Sequence, residues 1–175
     1  MPSGRASGAR STANVFATGC RDLRTFYVVR HAKAGSRGHW TGDDRVRPLS
    51  KKGQKQAQDL VSALKALSIK AIFSSPYLRC VQTVEPLGRV RRLNVKSAIE
   101  LAEGHGLEGL NTFLINSKLD HAVLSTHGDI VWELIEDLVA RHVIRAGDGG
   151  FEKGSTWVVG VQNGVPVKAR YLPAP

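Results

Sequence analysis

Two histidines and two arginines in this 175-residue chain have the side chains that phosphoryl transfer needs. Arg30 and His31 directly follow a short apolar run. Arg79 comes soon after a second such run, and His127 follows a third. Guanidinium groups can hold phosphate oxygens through paired hydrogen bonds, and a neutral imidazole can attack phosphorus. Because the four residues are far apart in sequence, their chemistry depends on a fold that brings them together.

The apolar runs are typical of strands that are covered on both faces of a parallel sheet. Between them, apolar residues recur at helical spacing, and Ser50 can cap the first helix. In chain order, the predicted strands cover 25–29, 71–73, 93–95 and 121–125, and the predicted helices cover about 51–67, 77–87, 107–117 and 130–139. Ligands bind at the carboxyl ends of strands in open α/β sheets, which is where the four residues fall.

This alternation of strands and helices predicts a three-layer α/β/α sandwich with a mainly parallel central sheet. Asn163 and Gly164 separate two β-rich runs, which predicts an antiparallel C-terminal hairpin at the edge of the sheet. Pro86 is expected to end the second helix early. Trp132 and Trp157 are expected to pack in the core or at its edge.

Composition and charge indicate one globular domain with an anionic partner. Hydrophobic residues make up 42% and charged residues 23% of the chain. No apolar run approaches the ~18 residues of a membrane span, so we expect no membrane association. The net charge of +10 favours nucleic acid, a phosphorylated protein or a phosphorylated metabolite. Residues 1–22 are basic and aperiodic, which predicts a flexible tail before a folded domain at 23–175.

The cysteine and remaining histidine positions argue against disulfides and metal sites. Cys20 and Cys80 are the only cysteines and have no CxxC spacing, which excludes a disulfide scaffold. The N-terminal residues contain no apolar signal segment, so we predict reduced thiols and a cytoplasmic location. His39, His121 and His142 show no metal-ligand spacing. We therefore predict neither a metal nor a cofactor.

Four short motifs occur in order between residues 26 and 138. They read V-R-H-A at 29–32, L-S-K-K-G-Q-K-Q-A at 49–57, S-S-P-Y-L-R-C-V-Q-T at 74–83 and S-T-H-G at 125–128. Together they resemble the histidine phosphatase (phosphoglycerate mutase-like) superfamily, and the chain is similar in size to its small SixA-like phosphohistidine phosphatase branch. The resemblance implies that His31 is the nucleophile. It also implies that Arg30, Arg79 and His127 form the phosphate pocket, although Ala32 stands where most members have glycine.

The resemblance also implies a general acid in an L-x-E segment, which L-A-E at 101–103 matches. Glu103 is therefore the predicted acid, and Glu100 and Glu108 are neighbours that could take this role instead. The short spacing between Thr83 and Glu103 leaves no room for a large insertion over the pocket. We expect an open site that accepts a bulky phosphorylated substrate.

The segment 33–47 is a candidate substrate loop because it combines basic residues with an aromatic side chain. Lys33, Arg37 and Trp40 could bind phosphates and a base, or an acidic protein surface. His105 lies close to Glu103 in sequence and is a candidate for the pocket mouth.

The sequence therefore predicts a metal-independent phosphatase that hydrolyses a phosphate monoester or phosphohistidine through a phosphohistidine intermediate on His31. Its partner would be a phosphorylated protein or a small phosphorylated molecule. Two alternatives keep the same fold: a nucleotide-directed phosphatase, and a non-catalytic protein that binds phosphate or phosphopeptides. A nucleic-acid-binding module is a third reading, but the chain has no helix-turn-helix, RRM or zinc pattern to support it.

Overall fold

The computed structural model describes residues 23–175, so the predicted tail at 1–22 and Cys20 lie outside the described residues. The strands are β1 Leu23–Arg30, β2 Ala71–Ser74, β3 Val95–Ser97, β4 Ala122–Thr126, β5 Thr156–Gln162 and β6 Val165–Leu172. The helices are α1 Lys51–Ala63, α2 Leu78–Arg91, α3 Gly106–Leu114 and α4 Gly128–Ala140, with short 3₁₀ turns at Arg37–His39, Asp44–Val46 and Ile99–Leu101. None of the helices in this part of the chain is long and apolar enough to cross a membrane.

The six strands form one sheet in the order β3-β2-β4-β1-β5-β6. The neighbours β3-β2, β2-β4 and β4-β1 are parallel, whereas β5 runs antiparallel to both β1 and β6. Asn163 and Gly164 both have positive φ in the turn between β5 and β6, as a two-residue hairpin of this twist requires. The predicted parallel centre and antiparallel edge hairpin are confirmed.

The central strand β1 shows why the sheet is covered on both faces. Phe26 and Val28 belong to the apolar cluster that α3 and α4 cover. Tyr27 and Val29 point the other way, into the cluster that α1 and α2 cover. Since successive side chains of a strand alternate between faces, this one run of residues supplies both cores. The three-layer α/β/α prediction is therefore confirmed.

Local predictions near Pro86 and Trp132 were wrong. Helix α2 continues through Pro86 to Arg91. The proline removes one helical hydrogen bond. Val84 and Leu87 beside it are fully buried against the sheet, and this packing stabilises the helix on both sides of the proline. Trp157 is buried as expected, whereas Trp132 is 47% exposed and packs against Phe151 outside both apolar clusters.

Two element boundaries also differ from the sequence prediction. Strand β3 begins at Val95, two residues later than the predicted start at Leu93. Arg92 adopts the left-handed conformation that ends α2, and the chain then needs two further residues to reach the sheet. Helix α3 ends at Leu114 instead of near 117. Neither shift moves a strand that carries a predicted site residue.

Candidate active site

The carboxyl ends of β1, β2 and β4 meet at one edge of the sheet. Arg30 pairs with Thr126 at the ends of β1 and β4, and Ser74 pairs with Ser125 at the end of β2. The His31 amide then donates a hydrogen bond of 2.9 Å to the Thr126 carbonyl. This register brings the segments that follow three strands to one place, as expected for a parallel sheet.

His31 is held in one tautomer at this edge. Its Nδ1 lies 2.8 Å from the Ala32 carbonyl oxygen. A carbonyl can only accept, so Nδ1 carries the proton and Nε2 keeps its lone pair. Burial, with smaller contributions from His127 and from the charges of Arg79 and Arg30, lowers the pKa of His31 to about 3. The ring is therefore neutral at neutral pH, which is the state that a nucleophile needs.

A threonine of the third motif connects His31's segment to helix α2. Thr83 Oγ1 accepts from the Ala32 amide at 2.9 Å and donates to the Arg79 carbonyl at 2.6 Å. A glutamine of the second motif acts similarly, since Gln56 Oε1 accepts from the Lys33 amide at 3.0 Å. These motif residues hold the turn after β1 in position instead of contacting a substrate themselves.

Helix α1 approaches the same turn so closely that only glycine fits. The side chain of Ser50 caps α1 by accepting from the Gly53 amide at 3.2 Å, which confirms the predicted cap. A Cβ added to Gly53 would lie 2.0 Å from the Lys33 carbonyl oxygen. The serine and glycine of the second motif thus place α1 against the segment that follows His31.

Arg79 is the most deeply buried cation of the site, with 1% of its surface exposed. Its Nη1 donates to the Asp44 carbonyl at 2.8 Å and lies 3.0 Å from Asp44 Oδ2. Its Nη2 donates to Glu103 Oε2 at 2.9 Å, and its Cζ lies 4.6 Å from the centre of the Tyr77 ring. The buried Nε has no hydrogen-bond partner within residues 23–175. The guanidinium is thus oriented by two carboxylates and retains one unpaired donor.

His127 lies between Arg79 and His31. Its Nε2 lies 2.8 Å from Ser75 Oγ, and its Nδ1 lies 3.4 Å from Arg79 Nη2. Because the guanidinium can only donate, Nδ1 is the acceptor and Nε2 carries the proton. Burial and the charge of Arg79 lower the pKa of His127 to about 4. The His31 and His127 rings are 5.4 Å apart between centroids and nearly edge to face.

Arg30 crosses the first turn of α4. A Cβ added to Gly128 would lie 2.6 Å from Arg30 Nη2, so glycine leaves the room that the guanidinium occupies. Arg30 donates to the Phe151 carbonyl, and its Cζ lies 5.2 Å from the centre of the Phe151 ring. Its buried Nε is also unpaired within the described range. Arg30 therefore keeps one guanidinium donor without a partner among the described residues, and the residue lines the cavity described below.

Glu103 connects the buried arginine to the loop after β1. Its Oε2 accepts from Arg79, and both of its oxygens lie 3.0 Å from Arg37 Nη2. The same Oε2 is 3.9 Å from His127 Nδ1. The carboxylate thus borders the predicted phosphate pocket, where it is engaged by two guanidinium groups.

These side chains line one cavity of about 560 Å³. The predicted Arg30, His31, Arg79, Glu103 and His127 all line it, as do the loop residues Lys33 and Arg37. Trp40 and His105 are not among its lining residues, and neither are Glu100 and Glu108. Trp40 instead borders a separate groove with Arg37, Gly42, Asp44 and Glu103.

Sequence reasoning missed Lys153, Asp44 and Asp129. Lys153 and Asp129 line the cavity, and Asp44 orients Arg79. A usable signal existed for Lys153. Because β5 runs antiparallel, the residues before it reach the same edge as the residues after β1, and Lys153 precedes β5 by three positions. Asp129 lies two residues after His127, and its buried Oδ1 has no partner in the described part of the chain.

The chain belongs to the histidine phosphatase superfamily, branch 1, whose family model matches residues 26–142. The resemblance inferred from the motifs is thereby confirmed. The chain is similar to the 8-oxo-(d)GTP phosphatase of Mycolicibacterium smegmatis, with 35% identity over 159 residues. This match covers 88% of the chain but 49% of that protein, so the chain spans about half the length of this relative.

Solved structures share the fold at low sequence identity. The protein histidine phosphatase SixA complexed with tungstate has a TM-score of 0.65 at 20% identity, over 85% of this chain and 94% of that chain. The phosphoglycerate mutase of Bacillus anthracis str. Sterne has a TM-score of 0.60 at 16% identity, over 89% of this chain and 93% of that chain. The architecture is thus that of the phosphoglycerate mutase-like phosphatases.

Proposed function

We propose that this protein is a phosphatase that hydrolyses a phosphate monoester or phosphohistidine through a phosphohistidine intermediate on His31. The proposal depends chiefly on the state of His31: a neutral ring whose Nδ1 is fixed by the Ala32 carbonyl, beside Arg30, Arg79 and His127 in one cavity. This combination supplies a nucleophile and the positive charge that phosphoryl transfer requires.

In the first step, the phosphate oxygens accept hydrogen bonds from the guanidinium groups of Arg30 and Arg79. The lone pair on His31 Nε2 forms the N–P bond while the bond from phosphorus to the leaving oxygen or nitrogen breaks. Glu103, a carboxylate in the resting site, is displaced from Arg79 by the incoming phosphate, takes up a proton from solvent and passes it to the leaving atom. His127 takes up a second proton from solvent when the dianion binds, because the negative charge stabilises its imidazolium form, and returns it when phosphate leaves.

In the second step, water attacks the phosphohistidine. The Glu103 carboxylate removes a proton from the water as the new O–P bond forms and the N–P bond breaks. His31 returns to its neutral state and inorganic phosphate leaves. Glu103 gives the proton from water back to solvent and pairs again with Arg79. The two steps balance in protons and need no other reactant than water.

A nucleotide-directed activity is the second candidate. It is favoured by the relative with 35% identity, which carries the name 8-oxo-(d)GTP phosphatase. The cavity volume of about 560 Å³ is in the range of pockets that hold whole small molecules, so it leaves room for more than one phosphoryl group.

Trapping of the intermediate tests the proposal. We expect p-nitrophenyl phosphate, followed by rapid quenching at alkaline pH, to leave one acid-labile phosphoryl group on the peptide that contains His31. The His31→Ala variant should lose the label and about 10,000-fold or more of the turnover. His105→Ala, which changes an exposed histidine outside the cavity, should be labelled normally. Turnover that survives in His31→Ala refutes the mechanism. Tight phosphate binding without any label would favour the non-catalytic binder.

A further inference from the structure

Two aromatic side chains that the proposed mechanism does not use are exposed next to each other. Trp132 on α4 is 47% exposed and Phe151 before β5 is 41% exposed. Their ring centroids are 5.2 Å apart with an interplanar angle of 69°. Large aromatic residues at a protein surface, when they are grouped, mark binding sites more often than singly exposed ones. We call Trp132 and Phe151 the aromatic pair.

The aromatic pair adjoins the proposed active site through Arg30. The Arg30 guanidinium carbon lies 5.2 Å from the centre of the Phe151 ring, and Arg30 also lines the cavity. Trp132 follows Asp129, another cavity residue, by three positions on α4, so both lie on neighbouring parts of the same helical face. A ligand that extends from the cavity past Arg30 reaches the aromatic pair.

The cavity contains more positive charge than one phosphate group needs. Six cationic side chains line it against the two carboxylates Glu103 and Asp129. Arg37 is paired with Glu103, and Arg47 is paired with Asp44. Lys33 and Lys153, by contrast, form no salt bridge with any carboxylate of residues 23–175.

The electrostatics of Lys153 agree with an anion site. Burial and then the charges of Arg30, Arg47, Lys33 and Arg37 lower the pKa of Lys153. A second phosphate between the two lysines would supply the missing negative charge. Lys153 is two residues from Phe151 in the segment before β5, so the second phosphate would lie between His31 and the aromatic pair.

We propose that the cavity and the aromatic pair together bind a nucleoside polyphosphate, with the terminal phosphate at His31, the next phosphate on Lys33 and Lys153, and the base against Trp132 and Phe151. This inference rests on the proposed function, because it takes His31 as the group that attacks the terminal phosphorus. The His31 Nε2–P bond forms and the bridging P–O bond breaks. Water then releases inorganic phosphate.

The proposal also explains why Glu103 is held by two arginines. The leaving group is a nucleoside phosphate, and a phosphate oxygen (second pKa ≈ 6) is far less basic than an alkoxide. Lys33 and Lys153 stabilise the charge that develops on it, so departure depends little on a proton from Glu103. The carboxylate can then remain paired with Arg37 during turnover.

Steady-state kinetics with three substrates test the proposal: guanosine diphosphate, inorganic pyrophosphate and glycerol phosphate. Stacking of one base contributes about 1–3 kcal/mol, so Trp132→Ala should raise KM for guanosine diphosphate about tenfold. Its kinetics with pyrophosphate and glycerol phosphate should not change, because neither has a base. Trp132→Phe should restore most of the affinity. Lys153→Ala should raise KM for guanosine diphosphate and for pyrophosphate by similar factors, and by more than it raises KM for glycerol phosphate.

Matched variants make each outcome decisive. Ile115→Ala removes an exposed apolar side chain beside Gly164 at the opposite end of the sheet, and it should change nothing. An unchanged KM in Trp132→Ala, or an equal loss with all three substrates, overturns the proposal. An effect in Trp40→Ala instead places the base on the 33–47 loop and also overturns it.

The failure of this inference can be told apart from failure of the proposed function. If His31 is never phosphorylated, the mechanism is lost, but calorimetric binding of guanosine diphosphate to the wild type and to Trp132→Ala still tests the aromatic pair. If His31 is labelled and guanosine diphosphate neither binds nor turns over, only the nucleotide proposal is wrong.

Discussion

The inner wall of the cavity is mostly buried, whereas its outer rim, together with the adjoining aromatic pair, is exposed. The inner wall consists of Arg30, His31, Arg79 and His127, and the outer rim consists of Lys33, Arg37, Trp132, Phe151 and Lys153. In the inner wall, His31, Arg79 and His127 are at most 7% exposed. The partners of the two histidines are a backbone carbonyl and buried side chains, whereas Arg79 is held by the partly exposed carboxylates of Asp44 and Glu103. All the rim residues are exposed. In the proposed mechanism, the wall therefore carries out the reaction, and the rim selects the group that is attached to the phosphate.

This contrast predicts that the largest loss follows from a change in the wall. Arg79→Lys keeps the positive charge but removes the planar guanidinium, whose several N–H groups bind Asp44 and Glu103 and, in the proposed mechanism, the phosphate. We expect kcat/KM with p-nitrophenyl phosphate to fall about 1,000-fold. Arg89→Lys, on the exposed face of the same helix, should leave it unchanged. A loss below about tenfold in Arg79→Lys would show that the buried guanidinium does not stabilise the transition state.

Glu103 belongs to both regions, because it joins Arg79 of the wall to Arg37 of the rim. For a substrate with a poorly leaving alkoxide, Glu103→Gln should lower kcat about 100-fold, since the proton donor is lost. For p-nitrophenyl phosphate the loss should be much smaller. Asp129→Asn is the comparison, because Asp129 is the second carboxylate of the cavity. If Asp129→Asn shows the leaving-group dependence and Glu103→Gln does not, the proton donor is Asp129.

The smallest expected effect is on folding stability, and it separates buried from exposed histidines. Burial holds the pKa values of His31 and His127 at about 3 and about 4, below the ~6.5 of the unfolded chain. Between about pH 6.5 and pH 4 the unfolded chain therefore binds protons that the folded protein does not. The free energy of unfolding is therefore highest above pH 6.5. It falls as the pH is lowered, by about 1.4 kcal/mol per pH unit for each histidine.

Urea unfolding between pH 7 and pH 5 measures this slope. His127→Asn should make the free energy of unfolding less dependent on pH, because the contribution of one of the two buried histidines is removed. His105→Asn, at an exposed position, should keep the wild-type slope. An identical slope in all three proteins would mean that His127 is protonated in the folded state.

The same contrast explains how far the sequence could predict this molecule. Arg30, His31, Arg79 and His127 follow strand ends in recognisable motifs, so the parallel topology alone was enough to expect them together. Lys153 escaped because it precedes an antiparallel strand, and the direction of β5 is a property of the whole sheet. Asp44 escaped because its contact with Arg79 depends on the path of an irregular loop.

Side-chain exposure was harder to predict than position. The apolar stripe of α4 is visible in its spacing, but Trp132 lies beside that stripe and packs on Phe151, which is nineteen positions away. Pro86 misled the prediction in the opposite way, since its local effect was outweighed by buried neighbours such as Val84. In both cases a contact between distant segments decided the outcome.

The hydroxyl group of Thr83 has a mechanical consequence. It accepts from the amide after His31 and donates to the carbonyl of Arg79, so the backbones that carry His31 and Arg79 are joined through one hydroxyl group. The 33–47 segment takes no part in either hydrogen bond. Displacement of that segment would break the contacts between Asp44 and the Arg79 guanidinium, but it would leave the backbone of Arg79 tied to the segment that carries His31.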